Sequence, residues 1–345
     1  MADKFKFDVV IGNPPYQDET IGDSTQAPPV YHEFMEEAYK IADRVSFITP
    51  GRFLYNAGAT PKSWNKKMLL DSHLKVVFYE QNSAKVFPNT DIKGGVAITY
   101  RDSNKVFGSI EVFSSYTELN NIFHKVTSQN TTSLSTIMYG QNTYKFTKKV
   151  HDENPDVLSR LSKGHENDLT TSVFEKLPDI FMSEEPDNND YIKIYGRQNN
   201  ERVYRWVKKK YIIAHENLEK YKVFIPKSNG SGAIGEVLST PLIGDPLIGH
   251  TQTFISAGAF DTKKEAENLL KYIKTKFART ILGILKITQD NPPEKWKFVP
   301  LQDFTDQSDV PWHLTIPEID QYLYQKYGLS QEEIDFIEEK VKAME

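Results

Sequence analysis

Apolar and polar positions fall into short blocks along the first part of the chain. Phe7-Asp8-Val9-Val10-Ile11-Gly12 is an apolar run with β-branched residues, the pattern of a buried strand. A Pro-rich loop follows, from Asn13 to Pro29. Tyr31, Phe34, Met35, Ala38 and Ile41 then recur at helical spacing. Residues 44–49 read as a second strand, stopped by Pro50-Gly51, and residues 63–70 as a helix. Residues 75–79 and 95–100 are two further strands. Strand, helix, strand, helix, strand predicts an α/β sheet, largely parallel.

The pattern changes after residue 113. Residues 114–170 are rich in Ser, Thr and Asn and read as a linker or hinge carrying at most a short helix. Beyond it, residues 191–206 mix aromatics with Arg and Lys, Asn229-Gly230-Ser231-Gly232 is a tight loop, and Phe254-Ile255-Ser256 is a strand. Thr262-x-x-Glu265 is a capping-box pattern. Behind it Ala266, Leu269, Leu270, Ile273 and Phe277 line one face of a long helix running to about residue 287. Thr315-x-x-Glu318 and Ser330-x-x-Glu333 mark two closing helices, the second with an acidic side that reads as a solvated face or a partner surface. The expected parts are therefore residues 1–113, a hinge at 114–170, and an α+β unit at 171–345.

Composition narrows the function classes. A chain of 345 residues holds about two domains. Apolar residues at 39% are few for a globular protein, but 12% aromatics argue against disorder. The absence of Cys excludes disulfide scaffolds, Cys-ligated zinc and thiol catalysis. No apolar run reaches the length of a membrane span, and the N-terminus lacks the apolar middle of a signal peptide, so a cytoplasmic location is expected. The net charge of −5 argues against a wholly basic nucleic-acid coat protein but leaves room for a local basic face. The eight His residues form no close ligand pair, and no metal site is expected.

The stretch that carries chemistry is Asn13-Pro14-Pro15-Tyr16, directly after the first strand. It places a rigid turn at the carboxyl end of a strand, where open α/β sheets bind ligands. Two prolines fix φ and remove two backbone donors, so the corner offers acceptors: the Asn13 side-chain oxygen and the Pro14 carbonyl. Two fixed acceptors satisfy both N–H donors of a planar exocyclic amine. They also favour a tetrahedral nitrogen with a free lone pair, while Tyr16 supplies a flat face for the ring. Such a site suits methyl transfer to a base amine by positioning and electrostatics, once the base has left the duplex stack. Asn291-Pro292-Pro293-Glu294 is an internal control: it follows a helical pattern, lacks the aromatic, and reads as a plain turn.

Residues 7–16 resemble the catalytic motif of N6-adenine DNA methyltransferases of bacterial restriction–modification systems, the gamma type. The likeness continues in order through Tyr31-His32-Glu33-Phe34-Met35, then residues 45–54 (Val-Ser-Phe-Ile-Thr-Pro-Gly-Arg-Phe-Leu) and 86–96 (Val-Phe-Pro-Asn-Thr-Asp-Ile-Lys-Gly-Gly-Val). It is specific over about residues 5–100 and looser from about 190 to 345, where the family has a target-recognition region. The resemblance implies S-adenosylmethionine as methyl donor and double-stranded DNA as partner. It implies catalytic roles for Asn13, Pro14, Pro15 and Tyr16, with Tyr16 and Phe87 stacking on the two faces of a flipped adenine. Phe87 also fits ordinary core or hinge packing.

The family's cofactor-binding segment, with its glycine turn, precedes the Asn-Pro-Pro-Tyr strand, and nothing in this sequence fits it. The fold implied is a partial Rossmann-like methyltransferase sheet lacking its cofactor strands, followed by the α+β recognition unit. The strand at 7–12 becomes an apolar edge that demands cover, by self-association, a separate cofactor-binding subunit, or an N-terminal region. The isolated chain is expected to be inactive. Methylation of an rRNA base or a protein glutamine amide stays open, as does a non-catalytic DNA-specificity module.

In the later region, basic residues interleave with aromatics, as phosphate and base contacts require. The candidates for DNA are Lys193, Arg197, Arg202 and Arg205, with Gln198, Asn199 and Asn200 for base edges, although turn residues look the same in sequence. Lys208–Lys210 read equally well as a solvated face. Lys227 and Asn229 lie in a second candidate loop that a hairpin turn also explains.

Overall fold

The computed structural model describes residues 7–18, 27–129, 132–186, 190–230, 234–286 and 289–344. The chain divides into two units, residues 1–120 and 121–345. Among the described residues no helix is long and apolar enough to cross a membrane.

The first unit contains β1 (Phe7–Gly12), α1 (Tyr31–Ile41), β2 (Ala42–Pro50), α2 (Lys62–Leu70), β3 (Leu74–Glu80) and β4 (Val96–Asp102). Their sheet order is β1-β2-β4-β3. β1 runs parallel to β2, from Phe7 opposite Ala42 to Gly12 opposite Phe47. β4 is antiparallel to both β2 and β3. The expected largely parallel sheet is thus corrected: β1, β2 and β3 point one way and β4 is turned against its neighbours. The cause is the connection from β3 to β4, which holds only a 3-10 turn at Ser83–Lys85, and a parallel return needs a full crossover.

The core explains the helices. α1 buries Tyr31, Met35 and Ala38, spaced four and three residues apart on one face, and leaves Phe34 exposed. With Trp64 and Met68 of α2, and with Phe47, Phe53, Leu74 and Ala97, they fill one side of the sheet. Each fully buried side chain of this size contributes about 1.5–3 kcal/mol. β1 gains least. It lies at the sheet edge, with Phe7, Val9 and the 78%-exposed Ile11 open to solvent.

α3 (Thr117–Thr127) runs across the division. The second unit continues with β5 (Met138–Tyr139), α4 (Lys148–Glu153), α5 (Val157–Arg160), α6 (Val173–Lys176), β6 (Tyr191–Gln198), β7 (Glu201–Lys208), β8 (Tyr221–Pro226), β9 (Leu242–Gly244), β10 (Ile248–His250) and β11 (Phe254–Phe260). Helices α7 (Lys263–Lys274), α8 (Lys276–Leu285), α9 (Ile316–Lys326) and α10 (Gln331–Lys340) follow. One sheet has the order β10-β6-β7, another β5-β11-β8-β9. Residues 121–170 belong to this unit and not to a free-standing hinge: Tyr144, Phe146, Val150, Val157, Leu161 and Leu169 are buried in a core shared with Ile192, Ile194 and Val207.

All three capping boxes form, at Thr262, Thr315 and Ser330. The long helix expected from 262 does not run through. It breaks at Thr275, whose backbone is extended (ψ 148°), into α7 and α8. Thr275 Oγ1 accepts from the Ala278 N–H at 3.1 Å. The carboxylate of Asp320 in α9 accepts from the Lys276 and Phe277 N–H groups at 3.0 and 2.9 Å. A second helix start therefore outcompetes one long helix, because the freed donors at its N-terminus are satisfied. Burial still pushes the Asp320 carboxyl up to about 6. The acidic face of α10 is not wholly solvated either: Glu333 is buried and pairs with Lys125 at 2.7 Å.

Candidate active site and nucleic-acid interface

The corner begins where β1 ends. Gly12 closes the strand opposite Phe47, and Asn13, exposed, follows at once. The Asn13 carboxamide has no hydrogen-bond partner among the described residues. Pro14 is buried and Pro15 exposed, so the turn is anchored by one ring and open at the other. The chain then returns: the Val30 N–H donates to the Tyr16 carbonyl at 3.2 Å and the Asp18 N–H to the Pro28 carbonyl at 2.9 Å. Residues 19–26 of this loop lie outside the described residues.

Tyr16 is half-buried against the first unit's core. Its hydroxyl is buried without a partner, and desolvation raises its pKa. The ring lines a cavity of about 490 Å³ together with Gln17, Pro29, Tyr31, Pro50, Arg52, Thr60 and Asp91. With the hydroxyl turned inward, the surface Tyr16 can offer a ligand is its ring. Phe87 is half-buried in a loop that Ser83 and Thr90 stitch together. The Ile92 N–H donates to Ser83 Oγ at 2.8 Å, and Thr90 Oγ1 donates to the Phe87 carbonyl at 2.8 Å. Tyr16 and Phe87 make no ring contact with each other among the described residues.

In the second unit, β6 and β7 form a hairpin whose turn is Asn199-Asn200, with φ of 51° and 65°. Positive φ at both positions is the geometry of a tight two-residue hairpin, which Asn tolerates. The pairing places Lys193, Tyr195 and Arg197 on one face with Trp206, Tyr204 and Arg202. Ile192, Ile194 and Val207 on the other face enter the core. Strand alternation thus divides the candidate residues. Arg205 falls on the core side, where its Nε donates to Gln198 Oε1 at 2.9 Å. This bond ties Arg205 to the Gln198 side-chain oxygen. Lys193 lies over the Trp206 ring, 4.5 Å from its centroid.

Arg197, Arg202 and Lys227 do come together. They line a cavity of about 460 Å³ with Gln141, Asn200, Ser228, Ser239, Gln252 and Thr253. The lining residues bring three cations and no carboxylate. Arg202 is held by the Thr240 and Ser239 carbonyls, each at 2.9 Å. Asn229 is corrected from a DNA contact to a buried clamp. Its Nδ2 donates to the Val237 carbonyl at 2.8 Å and its Oδ1 accepts from the Ser239 hydroxyl at 2.6 Å, which fixes the segment that holds Arg202. Nothing in the sequence linked Asn229 to Ser239 and Thr240. Residues 231–233 of that loop lie outside the described residues.

A larger cavity of about 940 Å³ includes Lys208, Lys209 and Lys210, but carries Asp190, Glu216 and Glu219 as well. Lys209 pairs with Glu219 and Lys210 with Glu153, each at 2.7 Å. Lys209 and Lys210 are thus compensated within the protein, whereas Arg197, Arg202 and Lys227 make no ion pair among the described residues.

The exposed Asn13 carboxamide on a proline corner at the end of a parallel strand lies within the stretch over which the chain is similar to known proteins. Residues 1–87, about a quarter of the chain, match the family described as Eco57I restriction-modification methylase. An "Uncharacterized adenine-specific methylase" of Mycoplasma pneumoniae is 29% identical over 94 residues, which are 26% of this chain and 22% of that protein. The type IIG restriction endonuclease BpuSI is similar in structure at 12% identity and a TM-score of 0.34, over 98% of this chain and 53% of that one. The type IIL restriction-modification enzyme MmeI, solved in complex with DNA, is similar at 10% identity and a TM-score of 0.32, over 96% and 56%. The chain thus spans about half of each solved enzyme, and its match spans under a quarter of the curated relative.

Proposed function

We propose that this chain carries the catalytic corner and DNA-contacting unit of an N6-adenine DNA methyltransferase. The observation that carries the reading is the Asn13 carboxamide: exposed, without a partner, and fixed between a strand end and two prolines. In this reading Asn13 Oδ1 and the Pro14 carbonyl accept the two N–H bonds of an adenine amine drawn out of the duplex. That draws the nitrogen towards tetrahedral geometry and frees its lone pair for attack on a methyl group. Tyr16 presents its ring to the base, and Phe87 closes the other face. Arg197, Arg202 and Lys227 hold phosphates, which fixes register without reading sequence. The uncompensated cations beside the hairpin favour a nucleic acid over a protein amide as substrate.

S-adenosylmethionine is the donor this chemistry requires. The described residues do not fit it alone: β1 is the sheet edge, and no strand and glycine turn lie beyond it. The exposed Phe7, Val9 and Ile11 support a cofactor-bearing region or subunit covering that edge in the active enzyme. The isolated chain is then inactive. Single-molecule sequencing of DNA from cells expressing the complete assembly tests the reading: adenine methylation is expected with the wild-type chain and lost with Asn13→Ala, while DNA binding persists. Methylation that survives Asn13→Ala would leave a DNA-specificity module with a vestigial corner. Methylation found on rRNA and not on DNA would move the same corner to another substrate.

A further inference from the structure

Beside the corner, one charge is left over. Arg52 lies in the 3-10 turn Gly51–Tyr55 that follows β2 and lines the same cavity as Tyr16. Its guanidinium makes no ion pair or hydrogen bond among the described residues. Asp91, the carboxylate of that cavity, is already paired with Lys93 at 2.6 Å. The Arg52 side chain is not simply loose. Its stem is gripped between Gly58 and Gly94, both at positive φ (85° and 84°). A Cβ on Gly58 would sit 3.2 Å from Arg52 Cβ and Cδ, and one on Gly94 only 2.4 Å from Arg52 Cγ. Two glycines therefore do what no other residue could at those positions: they adopt the left-handed backbone and leave room for the stem. The result is a half-buried cation with its stem held, without an ion pair among the described residues, in the cavity that Tyr16 of the corner also lines.

We propose that Arg52 is a positioning residue that takes a phosphate next to the extruded adenine. The inference rests on the proposed function above and adds to it the group that holds the nucleotide's backbone. A planar guanidinium forms two parallel bonds to phosphate oxygens. The cavity is lined by residues that follow β1 and that close and follow β2, whereas a cofactor-bearing partner has to cover the free edge of β1. This favours a nucleic-acid phosphate over a cofactor carboxylate as the anion.

The test uses the full chain with ¹⁵N-arginine and two probes: the trinucleotide d(ApApA) and its uncharged bis-methylphosphonate analogue. Comparison with the Arg52→Lys spectrum assigns the Arg52 Nε–H signal. That signal is expected to shift with d(ApApA) and to stay still with the analogue. Arg52→Gln should weaken d(ApApA) by roughly tenfold, the scale of one charge-assisted hydrogen bond, with Arg52→Lys in between and no difference among the three proteins on the analogue. An unmoved Arg52 signal, or equal shifts with both probes, overturns the proposal. A shift with S-adenosylmethionine instead would assign the anion to the cofactor and also overturn it. The Asn13→Ala chain keeps the two readings apart. If its Arg52 signal responds to d(ApApA) while the complete assembly still methylates without Asn13, the phosphate contact stands and the catalytic corner falls. Lost methylation with a silent Arg52 signal gives the reverse.

Discussion

The chain contains Asn-Pro-Pro twice, and the two copies have opposite surroundings. Asn13 ends an edge strand, is exposed, and has no partner. Asn291 is fully buried in the second unit. Its N–H donates to the Lys227 carbonyl at 2.7 Å, and Pro293 opens a 3-10 turn at Pro293–Trp296. The prolines do the same thing in both places, fixing φ and withholding donors. What differs is whether the asparagine faces a space that a ligand can enter. The second copy props up the strand segment that carries Lys227; the first supports nothing and points outward. The tripeptide alone is a stiff corner, and its exposure at a strand end makes it a candidate for chemistry.

The strongest way to break this contrast is to truncate both asparagines in the complete assembly. Asn13→Ala should lower kcat by about 100- to 1000-fold, the effect of removing one preorganised hydrogen-bonding group, with unfolding midpoint unchanged. Asn291→Ala should leave kcat within a few-fold of wild type. Comparable losses in kcat from both variants would mean that the corner acts through stability, not chemistry.

Next in size is the cation cavity that the second corner supports. Arg202→Ala and Lys227→Ala should each weaken DNA roughly tenfold and reduce the slope of log affinity against log salt by about one. Lys209→Ala is the matched control, because its charge is already compensated by Glu219. Asn229→Ala should reproduce part of the Arg202 effect while also destabilising the fold by about 1–3 kcal/mol, since it leaves Ser239 and Val237 groups unpaired. Equal salt slopes for Lys209→Ala and Lys227→Ala would refute the distinction between the two cavities.

These contrasts mark where the sequence was legible. β1, α1, β2 and the capping boxes follow from local periodicity and short-range side-chain chemistry, which a sequence displays directly. The break at Thr275 depends on Asp320, which reaches it only after folding. The division of Arg197 from Arg205 follows from strand alternation and could have been read once the Asn199-Asn200 turn was taken as a hairpin. Arg52 was inside a recognised stretch, yet its role depends on Gly58 and Gly94 meeting around it, a contact no spacing reveals. The corner itself was readable because strand and motif are adjacent in the chain.

Acid should separate the units further. His250 is fully buried in the second unit, near its Nδ1 contact to the Thr251 carbonyl (2.9 Å), and burial pushes its pKa down to about 4. Between about 6.5 and 4 the unfolded chain binds the proton and the folded one does not, so this group's contribution to stability falls as pH falls through that window. Asp320, raised to about 6, works in the opposite sense between about 6 and 3.8. The difference between wild type and His250→Asn isolates the histidine: urea midpoints of the two should converge as pH drops from 7 to 4.5. A gap that stays constant with pH would mean that His250 titrates alike in the folded and unfolded chain.

The smallest expected effect sharpens the comparison most. Both polar atoms of the Asn291 carboxamide are buried without a partner among the described residues. A buried donor or acceptor left unpaired costs about 1–3 kcal/mol. Leucine has nearly the same volume, accepts the extended backbone that the following proline imposes, and keeps the N–H that bonds Lys227. Asn291→Leu should therefore be neutral or stabilising by up to about 1 kcal/mol, a rise in Tm of about 2–4 °C for a unit of this size, with DNA affinity unchanged. A loss of stability would mean that the second carboxamide satisfies a partner after all, a bound water or a ligand. The two corners would then differ in what they hold and not in whether they hold anything.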